Sequence, residues 1–241
     1  MGIPFMEYLG VSPKMPCSCS YTKKIADKNG KPTEPVPLDD YHSYNCAKYR
    51  SWVSRHNGGV DVLEMAANSV NYPTRREVKV TKPPSKEPGK KACQEKYDLS
   101  LTLDGVMTHY DFTIVNTGAK HCVAKAAEQG LVAAEIASQK KLKQYVPKTA
   151  QGELFVPLAV EVYGGMHKNL FMFLGKLSLR ALNRAPEDAS YTAKTFIAYW
   201  TQALAVATVR AVAQNAITLA DNAVSRHAGH GGPGSRLALS Q

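Results

Sequence analysis

The stretch Lys96–Asn116 reads KYDLSLTLDGVMTHYDFTIVN. Two alternating runs flank Asp104-Gly105, a dipeptide favoured in two-residue hairpin turns because both positions tolerate positive φ. If Leu103 and Val106 close that turn, facing residues have numbers that sum to 209. Asp98 then stands opposite Asp111, Ser100 opposite His109 and Thr102 opposite Met107, all on one side. Leu99, Leu101 and Leu103 line the other side with Tyr110, Thr108 and Val106, a mostly apolar face suited to a core. Facing carboxylates have Cβ atoms roughly 5 Å apart and repel each other in a bare sheet. A divalent cation between them reverses that sign. The pair is therefore either a cation site or two unrelated surface aspartates.

Downstream, Asn116–His121 turns the chain into a helix predicted over Cys122–Tyr145. Its sheet-facing stripe runs Ala127, Leu131, Ala134, Ser138 and continues to Lys141 and Tyr145. Lys141 thus points inward while Lys140 and Lys143 project elsewhere. It is either an electrophile beside the aspartates or a stem snorkelling at a helix end. Leu154–Tyr163 is an apolar strand with Leu154, Val156, Leu158, Val160 and Val162 on one face. Phe155, Pro157, Ala159, Glu161 and Tyr163 lie on the other. Pro157 favours a sheet edge or a bulge. Glu161, the one carboxylate in the strand interior, is a candidate third residue of the metal site. Gly164-Gly165 turns into a helix over Lys168–Leu182. After Pro186 comes a long Ala-rich helix, Tyr191–Ser225, packed through Phe196, Trp200, Ala203, Ala207, Val209 and Val212. Arg210 in its least polar span argues against a membrane segment.

Upstream, Ser51–Asn57 precedes an amphipathic helix over Val60–Val70, with Leu63, Ala66, Ala67 and Val70 on one face. Pro73 ends it, and Glu77–Thr81 is a short strand with Val78 and Val80 inward. Lys82–Lys91, KPPSKEPGKK, is a basic Pro-rich loop within the domain, either disordered or phosphate-facing, with Lys90 and Lys91 as candidate phosphate contacts. Earlier still, Cys17-Ser18-Cys19 and His42…Cys46 make the C-x-C…H-x3-C set that a tetrahedral zinc site requires. The segment has few large apolar residues, so metal binding would supply its folding free energy. Otherwise it is a loop with three free thiols, and His56 is a substitute fourth ligand if His42 is not one. Lys23 and Lys24 lie between the two halves, where they can touch phosphates.

Lys and Arg exceed Asp and Glu by 30 to 20, a net charge of +10 that favours polyanion partners. Five cysteines without a secretory h-region suggest a reducing compartment. The opening MGIPFM lacks the Ser or Thr of a myristoylation signal.

In order, the elements after the zinc segment read α-β-β-β-α-β and then helices, with an Asp on each of two successive strands. That order resembles the restriction-endonuclease-like PD-(D/E)XK nuclease fold, of the α/β (α+β) class. More specifically, residues 10–226 resemble the C-terminal region of site-specific non-LTR retrotransposon proteins. There a zinc knuckle precedes such an endonuclease, downstream of a reverse transcriptase. The matching landmarks are Cys17, Cys19, His42 and Cys46, then Arg55-His56-Asn57, Asp98, Asp111, the Lys141…Tyr145 helix end and FVPLAVEVYGG at Phe155–Gly165. Tyr97 stands where the family has Pro, Gln144 stands where it often has Lys, and the zinc loop is long.

The resemblance implies three segments: 1–56 with the zinc knuckle, 57–226 with the endonuclease and a helical extension, and a Gly-rich tail, 227–241. It implies a metal-dependent DNA endonuclease nicking one strand. Asp98 and Asp111 would hold Mg²⁺ or Mn²⁺, Lys141 would stabilise transition-state charge, and Glu161 would hold a metal or a water. Zinc would be structural. DNA is the expected partner, positioned by Lys23, Lys24, Arg55, Lys90 and Lys91. RNA is a further one, along with a reverse transcriptase or other assembly subunits. The alternative is a catalytically inactive relic acting as a nucleic-acid-binding subunit of a ribonucleoprotein or other assembly. A stand-alone repair or recombination nuclease would share the same site. The compartment would be nuclear for a retroelement nuclease and organellar or cytoplasmic for an assembly subunit.

Overall fold

The computed structural model describes residues 9, 11, 17, 38, 40–46, 51–80, 95–119, 121–184 and 193–228. The chain forms two compact units, Met1–Val53 with Ala211–Gln241, and Ser54–Arg210. The helices are α1 Asp40–Asn45, α2 Ser51–Ser69, α3 Val123–Glu128, α4 Val132–Tyr145, α5 Lys168–Arg184 and α6 Ala193–Ala228. The strands are β1 Arg75–Lys79, β2 Lys96–Leu103, β3 Val106–Val115 and β4 Leu154–Glu161. The fold is of the mixed α and β class: a four-stranded sheet of order β1-β2-β3-β4 with helices around it.

The hairpin forms as its sequence requires. Asp104 and Gly105 have φ of 52° and 81°, the double positive φ of a two-residue turn. Pairing runs from Leu103–Val106 to Leu99–Tyr110 with the expected sum of 209. β1 joins β2 antiparallel, and β4 joins β3 in parallel, reached through the α3–α4 crossover. Pro157 sits on the outer strand, where its missing N–H removes no ladder bond. Its carbonyl on that edge accepts a bond from Asn169 Nδ2 at 3.0 Å.

One face of the sheet buries Leu99, Leu101, Leu103, Tyr110, Phe112 and Leu158 against α2, α5 and the first half of α6. Each such side chain contributes roughly 2 kcal/mol on leaving water. The opposite face carries Tyr97, Tyr145, Phe155 and Val80, with Val78 packed against them. Tyr97 and Leu99 are two apart in one strand yet lie in different clusters. The alternation therefore switches at Asp98. The β1–β2 ladder skips the Glu77–Asp98 step, and Glu77 has φ of 52° there. A positive φ at a non-glycine residue stores strain, and such strain concentrates at functional sites.

Three elements differ from expectation. α2 does not begin at Val60 but runs from Ser51 straight through Gly58-Gly59. A Cβ on Gly59 would lie 2.1 Å from Phe112 Cε1, so glycine here permits close helix–sheet approach. The expected Cys122–Tyr145 helix is two helices, because Gln129 is extended and Leu131 adopts a left-handed φ of 64°. The inward stripe holds from Ala134 through Ser138 to Tyr145, whereas Ala127 is exposed. On α6, Val209 is exposed and Leu204 takes a core position instead.

In the first unit, Val11, Cys17, Leu38 and Cys46 pack with Ala216, Leu219, Ala220 and Ala223 of α6. Asn215 Nδ2 donates to Ser43 O at 2.7 Å within it. Among the described residues, the apolar side chains here are few and mostly small. The span Lys194–Ser225 is long and apolar enough to cross a membrane by length and composition alone. Its Phe196 and Trp200 are nonetheless buried in the second unit's core, and Leu219 in the first's.

Candidate active site and metal centre

In the first unit, Cys17, His42 and Cys46 bring their ligand atoms within 4.8 Å of one another, a group able to hold a metal ion such as zinc. His42 lies on α1 and Cys46 just past its end, four residues on and so on the same side. The Cys17 and Cys46 sulfurs are 3.6 Å apart, and both side chains are buried and not in a disulfide. Two sulfurs bound tetrahedrally to zinc at ~2.3 Å stand about 3.8 Å apart. The donor set and spacing fit that ion. Cys19, the fourth expected ligand, lies outside the described residues, as do Lys23, Lys24, Lys90 and Lys91.

His56 is not a substitute zinc ligand. The continuous α2 puts His56, Val60, Leu63, Ala67 and Val70 on one stripe, spaced by four and three, so the imidazole faces the sheet. His56 Nε2 lies 3.0 Å from Asp98 Oδ2, and its ring tilts over Phe112 at 6.0 Å. Asp98 Oδ2 also accepts the Phe112 N–H at 2.7 Å. This bond stands where the ladder stops, one step short of an Asp98–Asp111 pair. Burial pushes the His56 pKa down. Its bond to Asp98, that residue's charge, the Asn57 bond and the Asp111 charge outweigh it, so the net direction is up.

Asp111 forms the floor, its side chain only 5% exposed, with the Lys141 Nζ 2.8 Å from its Oδ2 and 3.1 Å from its Oδ1. The two distances describe one ion pair. Only the Oδ1 contact has hydrogen-bond geometry, and Oδ2 remains buried without a hydrogen bond. Burial raises the Asp111 pKa above the ordinary carboxylate value, Lys141 opposes it, and the Asp98 charge adds to it. Burial and the nearby Asp111 push the Tyr145 phenol up. Lys141 also lies 5.5 Å from the Tyr145 ring centroid. Asp98, Lys141 and His56 side chains are 19%, 27% and 29% exposed, so the group opens to solvent above the buried Asp111.

The structure thus brings Lys141 to Asp111, and couples Asp98 to Asp111 electrostatically. Glu161 is not brought there. β4 runs parallel to β3 with Pro157 beside Asp111, so Glu161, paired with Val115, lies four residues further on, about 13 Å away. Its Oε1 accepts the Ala134 N–H at the start of α4, 3.3 Å away. Arg55 is half-buried on α2 next to His56, and burial lowers its pKa. A cleft of about 390 Å³ lies at the carboxyl ends of β3 and β4, between Lys125, Leu131, Glu135 and Lys168. Asp98, Asp111 and Glu161 do not line it.

The sequence offers His56 as a zinc ligand only if His42 is not one, and His42 belongs to the cysteine group. The spacing of His56 to Val60, Leu63 and Ala67 fits one helical stripe, but only on a helix that begins before Val60.

No protein-family model matches the chain, and no curated protein matches it.

Proposed function

We propose that the second unit is a restriction-endonuclease-like domain that nicks one DNA strand with a divalent cation, and that the first is a zinc-stabilised accessory segment. The α-β-β-β-α-β order, with its antiparallel, antiparallel and parallel neighbours, supports the fold reading. The observation that carries the functional one is Asp111. In a carboxylate buried to this degree, with Oδ2 lacking a hydrogen bond, the charged form is favoured by Lys141 and Tyr145 but disfavoured by burial and the Asp98 charge, and the net direction of its pKa is up. Asp111 and Asp98 would hold a cation, whose positive charge would offset both penalties. Mg²⁺ binds through one or two carboxylates plus substrate phosphate, so two aspartates suffice.

When bound, the cation supplies Lewis acidity toward a phosphate and a water of lowered pKa. Asp98 and Asp111 would hold it. Lys141, released from Asp111 as the cation arrives, would pair with charge building on the phosphate in the transition state. His56 orients Asp98, and as an imidazolium adds positive charge at the open side of the site. The net charge of +10 provides attraction for the DNA backbone.

A second reading has one specific observation behind it. Asp98 is already engaged by the Phe112 N–H and His56, and Asp111 by Lys141. Carboxylates already engaged by groups of the protein also suit a relic that binds nucleic acid as a structural subunit without cutting it. Incubating supercoiled plasmid with the chain and Mg²⁺ or Mn²⁺ separates the two. Metal-dependent nicking supports the nuclease, and DNA binding without nicking supports the relic.

A further inference from the structure

Beside Asp111, on the same face of β3, lies a buried polar chain that the nuclease reading does not use. Ser100 and His109 face each other across the β2–β3 ladder, with Ser100 Oγ 2.7 Å from His109 Nδ1. His109 Nε2 lies 2.8 Å from Glu153 Oε2. A carboxylate only accepts, so Nε2 carries a proton and donates to Glu153, while Nδ1 and the Ser100 hydroxyl share the other hydrogen bond. Serine, histidine and carboxylate at these spacings resemble a nucleophilic triad. Ser100 is 1% exposed, however, and the Tyr97 ring stacks on His109 at 4.1 Å, which leaves no room for a substrate.

The group instead fastens a connection. Glu153 belongs to the segment between α4 and β4, and three polar links tie that segment to the sheet. Lys148 pairs with Glu95 at 2.7 Å, the Tyr97 hydroxyl meets Thr149 Oγ1 at 3.2 Å, and Glu153 meets His109. Thr149 Oγ1 in turn donates to Tyr145 O at 3.0 Å. Tyr145 stacks on Phe155 at 4.8 Å and tilts on Tyr97 at 5.5 Å. Lys141 is one turn earlier on α4, against Asp111. A buried Ser–His pair is not needed for stability, since apolar residues of matching shape can be neutral there. A fully hydrogen-bonded buried network does confer fixed geometry.

We propose that His109 and Glu153 are positioning residues: they latch the α4–β4 connection so that the last turns of α4 present Lys141 and Tyr145 to Asp111. The latch is a property of the fold, and its effect on turnover rests on the proposed nuclease activity. Glu153 is partly exposed, so Glu153→Ala is expected to fold, as far-UV circular dichroism checks, and Glu153→Gln keeps an acceptor for His109. Two measurements on the full chain test the latch: plasmid nicking at saturating Mg²⁺, and amide hydrogen exchange of residues 141–149 against residues 99–110.

Glu153→Ala is expected to lower kcat about 10- to 100-fold with KM nearly unchanged, as a misplaced group does. Its exchange at 141–149 should quicken by on the order of tenfold, with 99–110 unaffected. Glu153→Gln should restore most of both. Unchanged exchange at 141–149 in Glu153→Ala would overturn the latch, and faster exchange with unchanged kcat would overturn its positioning role. If the native chain does not nick, the nuclease reading fails separately, and the exchange arm alone decides whether the latch exists.

Discussion

His56 and Asp98, 42 residues apart in sequence, meet at 3.0 Å across the interface between α2 and β2. The contact ties the helix that covers one face of the sheet to the residue at which strand alternation switches. The His56 pKa is raised, so its contribution to stability is fully present below the ordinary histidine value. It is lost as pH rises through the folded-state value. In metal-free buffer, thermal melts of native chain and His56→Gln should differ most near pH 5 and converge above about pH 8. The difference at low pH should be about 1 kcal/mol, as for a half-exposed charge-assisted bond. A difference that grows with pH would show that His56 is held neutral instead.

Adjacent glycines on α2 should respond in opposite directions. Gly59→Ala places a Cβ 2.1 Å from Phe112 Cε1, so the helix or the ring must move. Overpacking of this kind costs about 1–3 kcal/mol, beyond any gain in helix propensity. A Cβ on Gly58 meets nothing within 4 Å, so Gly58→Ala should stabilise by up to about 1 kcal/mol. Urea denaturation midpoints of the two variants measure both signs.

Removing metal from the first unit should be felt far from the cysteines in sequence. The Cys17–His42–Cys46 group shares its small core with Ala216, Leu219, Ala220 and Ala223, and Ser43 O takes the Asn215 amide. Chelation, or Cys46→Ser, should accelerate amide exchange over residues 211–225 while leaving β2 and β3 protected. Equal protection of 211–225 with and without zinc would show that the apolar contacts suffice on their own.

Much of the second unit was legible because its signals are local. Asp104-Gly105 and the alternation around it were enough to predict turn and register together, and Pro157 marked the outer strand. Lys141 was legible from helical spacing within one element. The rest depended on contacts between elements. Nothing local announces that Phe112 presses on α2 at Gly59, so the continuous helix, and with it the place of His56, could not be read. Leu131 in a left-handed conformation splits the crossover helix against its own preference. Glu161 went astray because a strand's face says nothing of its depth along the neighbour. The parallel register with β3 sets that depth, and it puts Pro157, not Glu161, beside Asp111.

Glu161 and Asp98 should therefore separate in function. Glu161 accepts the Ala134 N–H at the start of α4, a capping role. Glu161→Gln should cost about 1 kcal/mol in thermal stability and leave metal-dependent nicking intact. Loss of nicking in a fully folded Glu161→Gln chain would return this residue to the metal site.

The most direct test of the central claim compares plasmid nicking by native chain, Asp98→Asn and Asp111→Asn, each folded and each binding DNA. The account predicts Mg²⁺- or Mn²⁺-dependent nicking by the native chain, lost in both variants. A folded, DNA-binding native chain that leaves the plasmid intact with either metal would contradict it.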